Sequence, residues 1–270
     1  MKDSNSKLVE QSLSKPDIHR QWEEAYRNEK NEMFYEQAFD YITRYLNNSK
    51  NSTVLDAGCG ICAHTIRLAN RGIFVQAIDF SESVLKEAAA EVNARGLENR
   101  INIKRENILD LSYENRSFNN ILCWGVLMHI PDLEKAISEL TRVLKSGGTL
   151  VISESNMYSL QSIIVRNMRR FLGKRKIDVK KTPAGVEYWG ITPVGVLMVR
   201  ETNIQWLIEK FKKNRFTVIK HVAGQFTELY TRVSSQPLEN LIHGFNNFWF
   251  RYVKIPHLAF GNIIILRKEE

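Results

Sequence analysis

The stretch VLDAGCGICA, from Val54 to Ala63, decides how the rest of the chain is read. Aliphatic residues lead into an acid, Asp56, and then into a turn built on Gly58 and Gly60. Gly58, Gly60 and Ala63 fit the spacing G-x-G-x-x-[G/A], and Asp79 follows Gly58 by 21 positions. In a strand–turn–helix setting the glycines permit a tight turn and a close approach of ligand to backbone. The helix start then offers free N–H groups and a partial positive charge to an anion. A carboxylate at the end of the next strand can accept hydrogen bonds from two ribose hydroxyls.

Outward from the turn, strands and helices alternate. STVLDAG reads as a buried strand, HTIRLANRG as a helix stopped by Gly72, and IFVQAID as a second strand. Ser81 is a suitable N-cap for ESVLKEAAAEVNARG, which Gly96 ends. INIKREN and FNNILCWGVLMHI supply strands three and four, Pro131-Asp132 opens the helix LEKAISELTRVLK, and TLVISES is strand five. IQWLIEKFKKNRF is a later helix, FTVIKHV a sixth strand and GNIIILRK a seventh. Apolar runs without strict alternation indicate strands covered on both faces. Right-handed crossovers then predict an α/β fold with a doubly wound, mostly parallel seven-stranded sheet and helical cap insertions. The expected organisation is an N-terminal helical cap over 1–50, with residues 1–15 frayed and amphipathic helices at 18–29 and 33–47. A cofactor-binding core follows over 51–155, then a cap insertion over 156–202 and a C-terminal part of the sheet over 203–270, with an aromatic insertion at 224–260.

The totals bound the function. With 270 residues, 43% hydrophobic and 25% charged, the chain suits a soluble globular protein with a sizeable core. No apolar run approaches the ~20 residues a membrane helix needs, and no secretory h-region is present, so a cytoplasmic location is expected. Three cysteines do not suit a disulfide framework, and Cys59-x-x-Cys62 falls inside the turn without a second pair, so neither zinc nor redox chemistry is expected there. The net charge of +8 is concentrated. Residues 166–181 hold eight Lys or Arg against one acid, Asp178, a local balance of +7.

The turn alone suits two cofactor classes, nicotinamide dinucleotides and S-adenosylmethionine. Four motifs decide between them. LDAGCG (55–60) resembles motif I of the class I S-adenosylmethionine-dependent methyltransferases, and ENILDL (106–111) resembles their acidic motif after the third strand. FNNILCWGVLMHIPD (118–132) is similar to the family's fourth-strand motif, and LTRVLKSGGTLVISE (140–154) to its helix, turn and fifth strand. They span 53–155 in the family's order. A dinucleotide oxidoreductase has no reason to carry all four. The resemblance implies a Rossmann-like methyltransferase that converts S-adenosyl-L-methionine to S-adenosyl-L-homocysteine. It implies that Gly58 and Gly60 serve the methionyl end, Asp79 the ribose, and Phe80, Asn107 and Ile108 the adenine, with Asp56 in the cofactor set or capping the turn. Trp124 would line the sulfonium end.

The acceptor is argued by elimination. CWGV replaces the D/N-P-P-Y/F strand end of amino-directed DNA methylation, and no Pro-Cys nucleophile occurs. Trp124-Gly125 cannot ligate a hard cation through side chains, and no metal is expected. A metal-independent O-methyltransferase of the natural-product type remains, acting on a carboxylate or hydroxyl of a small or peptide-like acceptor. His129 is the base candidate by position, since histidine titrates near neutrality, or it simply finishes the strand. Tyr158, Tyr188 and Tyr230 are candidate acceptor contacts. In LQSIIVRNMRRFL, Leu160, Ile163, Ile164, Met168, Phe171 and Leu172 share one helical face and Arg166, Arg169 and Arg170 the other. The arginines are read as solvated on a cap, as guides for an anionic acceptor, or as contacts to an anionic membrane. An RNA-modifying methyltransferase is the alternative supported by a pI of 9.3, but no RNA-binding module accompanies the single basic segment, so no nucleic-acid partner is favoured.

Overall fold

A computed structural model describes residues 2–15, 17–18, 26, 29–47, 52–171, 178–192 and 195–270. The helix expected over 18–29 falls almost wholly outside the described residues. In chain order the elements are α1 (Lys2–Leu13), α2 (Glu29–Ile42), β1 (Thr53–Ala57), α3 (Ala63–Asn70), β2 (Phe74–Asp79), α4 (Glu82–Ala94), β3 (Ile101–Arg105), β4 (Phe118–Trp124), α5 (Leu133–Val143) and β5 (Leu144–Ser155). There follow α6 (Leu160–Phe171), β6 (Asp178–Thr182), β7 (Gly185–Thr192), β8 (Gly195–Thr202), α7 (Ile204–Lys213), β9 (Phe216–Ala223), α8 (Gln236–Phe248), a π-helical turn (Trp249–Val253) and β10 (Gly261–Lys268).

The main sheet has seven strands in the order β3-β2-β1-β4-β5-β10-β9. Its first five strands are parallel, and β10 runs antiparallel to both neighbours. The order reverses between β1 and β4, which opens a crevice beyond their C-terminal ends. Each face is covered because each strand feeds both. Leu55 and Ala57 point into a cluster with Ile137 and Leu140 of α5 and Leu207 and Phe211 of α7. Val54 points the other way, toward Phe34, Phe39 and Ile42 of α2. Helix α5 buries Leu133, Ala136, Ile137, Leu140 and Val143, the i, i+3, i+4 stripe of an amphipathic helix. The side chains of Ser81, Asp132 and Asn203 accept from backbone N–H groups of the first turns of α4, α5 and α7.

Two regions differ from expectation. Residues 2–13 form a helix rather than a frayed tail, because Val9 and Leu13 pack with Ile18 on Met198 of β8. The polar composition concealed two well-spaced apolar anchors. Residues 178–202, read only as a helical cap, contain an antiparallel meander, β6-β7-β8. Its main tie to the core is Arg200, which is 1% exposed. The guanidinium donates to the carbonyls of Leu127 and Ile130 at 3.1 and 3.0 Å and to Glu187 Oε1 at 2.8 Å. Glu154 lies beneath the same loop, where burial pushes its carboxyl up to about 8 against the lowering pull of Arg200 and the N–H groups of Met128 and Leu127.

Arg200→Met leaves Glu187 buried without its cation. Removing one partner of a buried pair costs about 3–5 kcal/mol. Urea unfolding should show that loss, whereas Lys86→Met, which breaks an exposed pair with Glu82, should change stability by about 1 kcal/mol or less.

Candidate active site

The turn after β1 is built as its sequence requires. Gly58, Gly60 and Cys62 have φ of +85°, +54° and +69°. A Cβ on Gly58 would sit 2.5 Å from Val126 Cγ2, so the position excludes a side chain by space as well as by dihedral. The N–H groups of Gly58 and Cys59 both donate to Ile78 O, at 2.8 and 2.9 Å, fastening the turn to β2. Asp79, at the end of β2, accepts from Gly60 N at 3.1 Å and from Ser81 N at 3.0 Å. Helix α3 begins without a side-chain cap, so its first N–H groups are available to an anionic ligand group.

These elements border a cavity of about 400 Å³. Gly58, Gly60 and Asp79 line it together with Phe80, Ile108, Trp124 at the end of β4, and Gly125 and His129 just beyond that strand. The structure thus brings together seven of the expected residues: Gly58, Gly60, Asp79, Phe80, Ile108, Trp124 and His129. His129 is anchored, with Nδ1 3.1 Å from Met198 O; a carbonyl only accepts, so Nδ1 carries the proton.

Other expected residues lie elsewhere. Asp56 is 2% exposed and accepts from Thr65 Oγ1 at 2.5 Å, bracing α3 against β1 beneath the turn instead of facing the cavity. Burial pushes its carboxyl up to about 7. Asn107 uses its side chain on Leu109 N and on Glu10 of α1, at 2.9 and 3.3 Å, and so fastens the N-terminal helix over this edge. Arg166 donates to Met157 O and Glu201 Oε2, both at 2.9 Å, and Tyr188 donates to the same carboxylate at 3.1 Å. Arg169 stacks 5.1 Å above the Tyr188 ring. This cluster does not border the cavity. Tyr158 is exposed, and Tyr230 is buried with its hydroxyl on Gln225 at 2.9 Å. The Arg170 side chain and residues 172–177 lie outside the described structure. Among the described residues no group of three or more His, Cys, Asp or Glu could hold a metal ion, and Cys59, Cys62 and Cys123 are buried thiols.

Sequence reasoning missed the far wall of the cavity. Tyr26, Tyr35, His64, Arg67 and Glu228 line it. Tyr35, His64 and Phe39 gather around Trp124 at ring separations of 5.2–6.3 Å. Arg67 lies 5.0 Å over the Tyr35 ring and pairs with Glu32. Tyr26 Oη donates to Glu228 Oε2 at 3.0 Å. Burial raises the Glu228 carboxyl to about 7, while the Tyr26 hydroxyl and Arg232 pull it down. The i, i+4 spacing of Tyr35 and Phe39 was readable as a helix face. Nothing local marks Glu228.

The family described as "Methyltransferase domain" matches residues 48–233. Among curated relatives, the ubiquinone biosynthesis O-methyltransferase of Nitrosomonas europaea is 30% identical over 118 residues, 43% of this chain and 49% of that protein. Ajmaline N-methyltransferase of Rauvolfia serpentina is 33% identical over 104 residues, 38% of this chain and 36% of that protein. Both of these relatives are thus matched over about half their length or less. A solved S-adenosylmethionine-dependent methyltransferase from Methanosarcina mazei shares the fold, with a TM-score of 0.58 at 19% identity over 85% of this chain and 97% of that one.

Asp79→Asn should weaken S-adenosylmethionine by about 10- to 100-fold in calorimetry, the worth of charge-assisted hydrogen bonds. Gly58→Ala should abolish measurable binding, since the methyl group meets Val126.

Proposed function

The chain belongs to the class I S-adenosylmethionine-dependent methyltransferases, and from that premise we propose that it methylates an oxygen of a small acceptor, a hydroxyl, within the cavity described above. The observation that carries this reading is the placement of Glu228 in the same cavity as Trp124 and the Gly58–Asp79 turn. Gly58 and Gly60 would let the methionyl group lie against the backbone, Asp79 would accept from the ribose hydroxyls, and Phe80 and Ile108 would flank the adenine. Bound there, the cofactor supplies an electrophilic methyl on a positive sulfur.

The residues around it decide the acceptor. Trp124, Tyr35 and His64 make an aromatic wall that aligns a flat or apolar acceptor and excludes water. An alcohol or phenol must lose a proton as its oxygen attacks. Glu228, held by Tyr26 and raised toward neutrality, is poised to take it. Glu228 would take the acceptor O–H proton as the oxygen attacks the methyl carbon, and the C–S bonding pair would leave with sulfur as S-adenosyl-L-homocysteine. The proton then passes to solvent.

A carboxylate acceptor is less well served. Arg166 and Arg169, which suggested it, are engaged around Glu201. The cavity itself presents Asp79, Glu106 and Glu228 against Arg67, so its charge repels an anion more than it attracts one. Arg166 and Arg169, engaged in this way, lend no support to RNA as the acceptor at this site.

The test has two parts. Incubation with S-adenosylmethionine and a panel of phenols and alcohols, against matched carboxylic acids, should give a methylated product from a hydroxyl compound by mass spectrometry. With that acceptor, turnover should rise as pH increases through about 7, because Glu228 must be deprotonated to act. Glu228→Gln should lower kcat by about 10²- to 10⁴-fold, the typical worth of a general base, and remove that rise while cofactor affinity stays the same. A wild-type rate that is flat through neutrality excludes Glu228 as the base. His129→Asn, by the same measurement, reports on the histidine.

A further inference from the structure

Helix α6 sits the opposite way round from its amphipathic pattern. Its polar residues face the protein. Gln161 accepts from Thr227 Oγ1 at 2.5 Å and from Glu228 N at 2.8 Å, and Ser162 Oγ donates to Asn156 O at 3.0 Å. Its aliphatic stripe faces out, with Leu160, Ile163, Ile164 and Met168 41–54% exposed. Helix α8 and the π-helical turn after it repeat this. Leu238, Leu241, Phe245, Phe248 and Tyr252 follow one helical stripe and are 40–68% exposed. Both helices are tied to one residue, Thr227: its hydroxyl donates to Gln161 of α6, and its backbone exchanges hydrogen bonds with the Asn246 side chain of α8 at 3.0 and 2.8 Å. An apolar surface of this extent on neighbouring segments marks a docking face, not scattered exposure.

Charge identifies what it docks on. Residues 155–177 and 240–260 contain no Asp or Glu. The first segment carries six Lys or Arg, and the second carries Arg251 and Lys254. Arg166 is turned inward to Glu201, but the two segments are net basic in sequence, and a second copy in an isologous contact would bring like charges together. Exposed aliphatic and aromatic stripes beside cations suit a bilayer surface, and the carboxylate of Glu239 at the start of α8 is paired with Lys30. There the apolar side chains enter the acyl boundary and the cations meet lipid phosphates. We propose that the outward faces of α6 and α8 dock this methyltransferase on an anionic lipid bilayer. The inward side of α6 holds the backbone of Glu228, itself a cavity-lining residue, through Gln161.

The experiment is co-sedimentation of the full chain with phosphatidylcholine vesicles prepared with and without phosphatidylglycerol. The protein should pellet with the anionic vesicles, stay in the supernatant with the neutral ones, and release as salt rises. The double substitution Ile164→Asp with Leu241→Asp alters only exposed positions. It should keep the thermal midpoint and S-adenosylmethionine affinity while losing at least about tenfold in vesicle affinity. Failure of the wild-type chain to bind anionic vesicles overturns the proposal, as does undiminished binding by the double variant. A concentration-dependent dimer in light scattering that the double variant dissolves overturns it too, by assigning the face to a second copy.

Discussion

Gly58 stands where no side chain fits. Val126 fills the space a Cβ would need, so the chain leaving β1 and the chain leaving β4 can come together only over a glycine. The two donors to Ile78 O and the bond from Gly60 N to Asp79 add β2 to the same junction. Three parallel strands are thus fastened at their C-terminal ends, where the strand order reverses. The cavity follows from that junction. Its floor is the glycine turn and its flanks are the ends of β2 and β4.

The segment after β4 needs support of its own, because irregular backbone next to a cavity has no ladder to satisfy it. The structure supplies this from outside the main sheet. Arg200 takes the carbonyls of Leu127 and Ile130, Met198 O holds His129, and Glu154 accepts from below. The small β6-β7-β8 sheet therefore works as a buttress for the cavity wall. Burying Arg200 is tolerable because Glu187 and two carbonyls engage both terminal nitrogens of its guanidinium.

The main sheet and the Gly58–Asp79 side of the cavity were legible in the chain because their signals are local. Buried strands read as apolar runs, Ser81, Asp132 and Asn203 stand at helix starts, and Gly58 to Asp79 is one strand–turn–helix–strand unit. Asp56 and Asn107 fell within the right motifs yet point elsewhere, since a motif specifies backbone path more tightly than side-chain direction. The acceptor side was illegible. Tyr26 and Glu228 meet across 202 positions, and neither has neighbours that announce the pairing.

Helix α6 marks the boundary between the two kinds of knowledge. Periodicity established that Leu160, Ile163, Ile164 and Met168 share a face opposite Arg166 and Arg169. It carries no information on which face turns inward, because that depends on partners distant in sequence. Gln161 and Ser162 found hydrogen-bonding partners at Thr227, Glu228 and Asn156, and Arg166 found Glu201. Sequence alone therefore determined the family, the sheet and the cofactor turn, whose physics is contained in short spans of chain. Tertiary structure alone decided which carboxylate enters the cavity and which helix face meets the surroundings, because both depend on groups that only folding brings within hydrogen-bond reach.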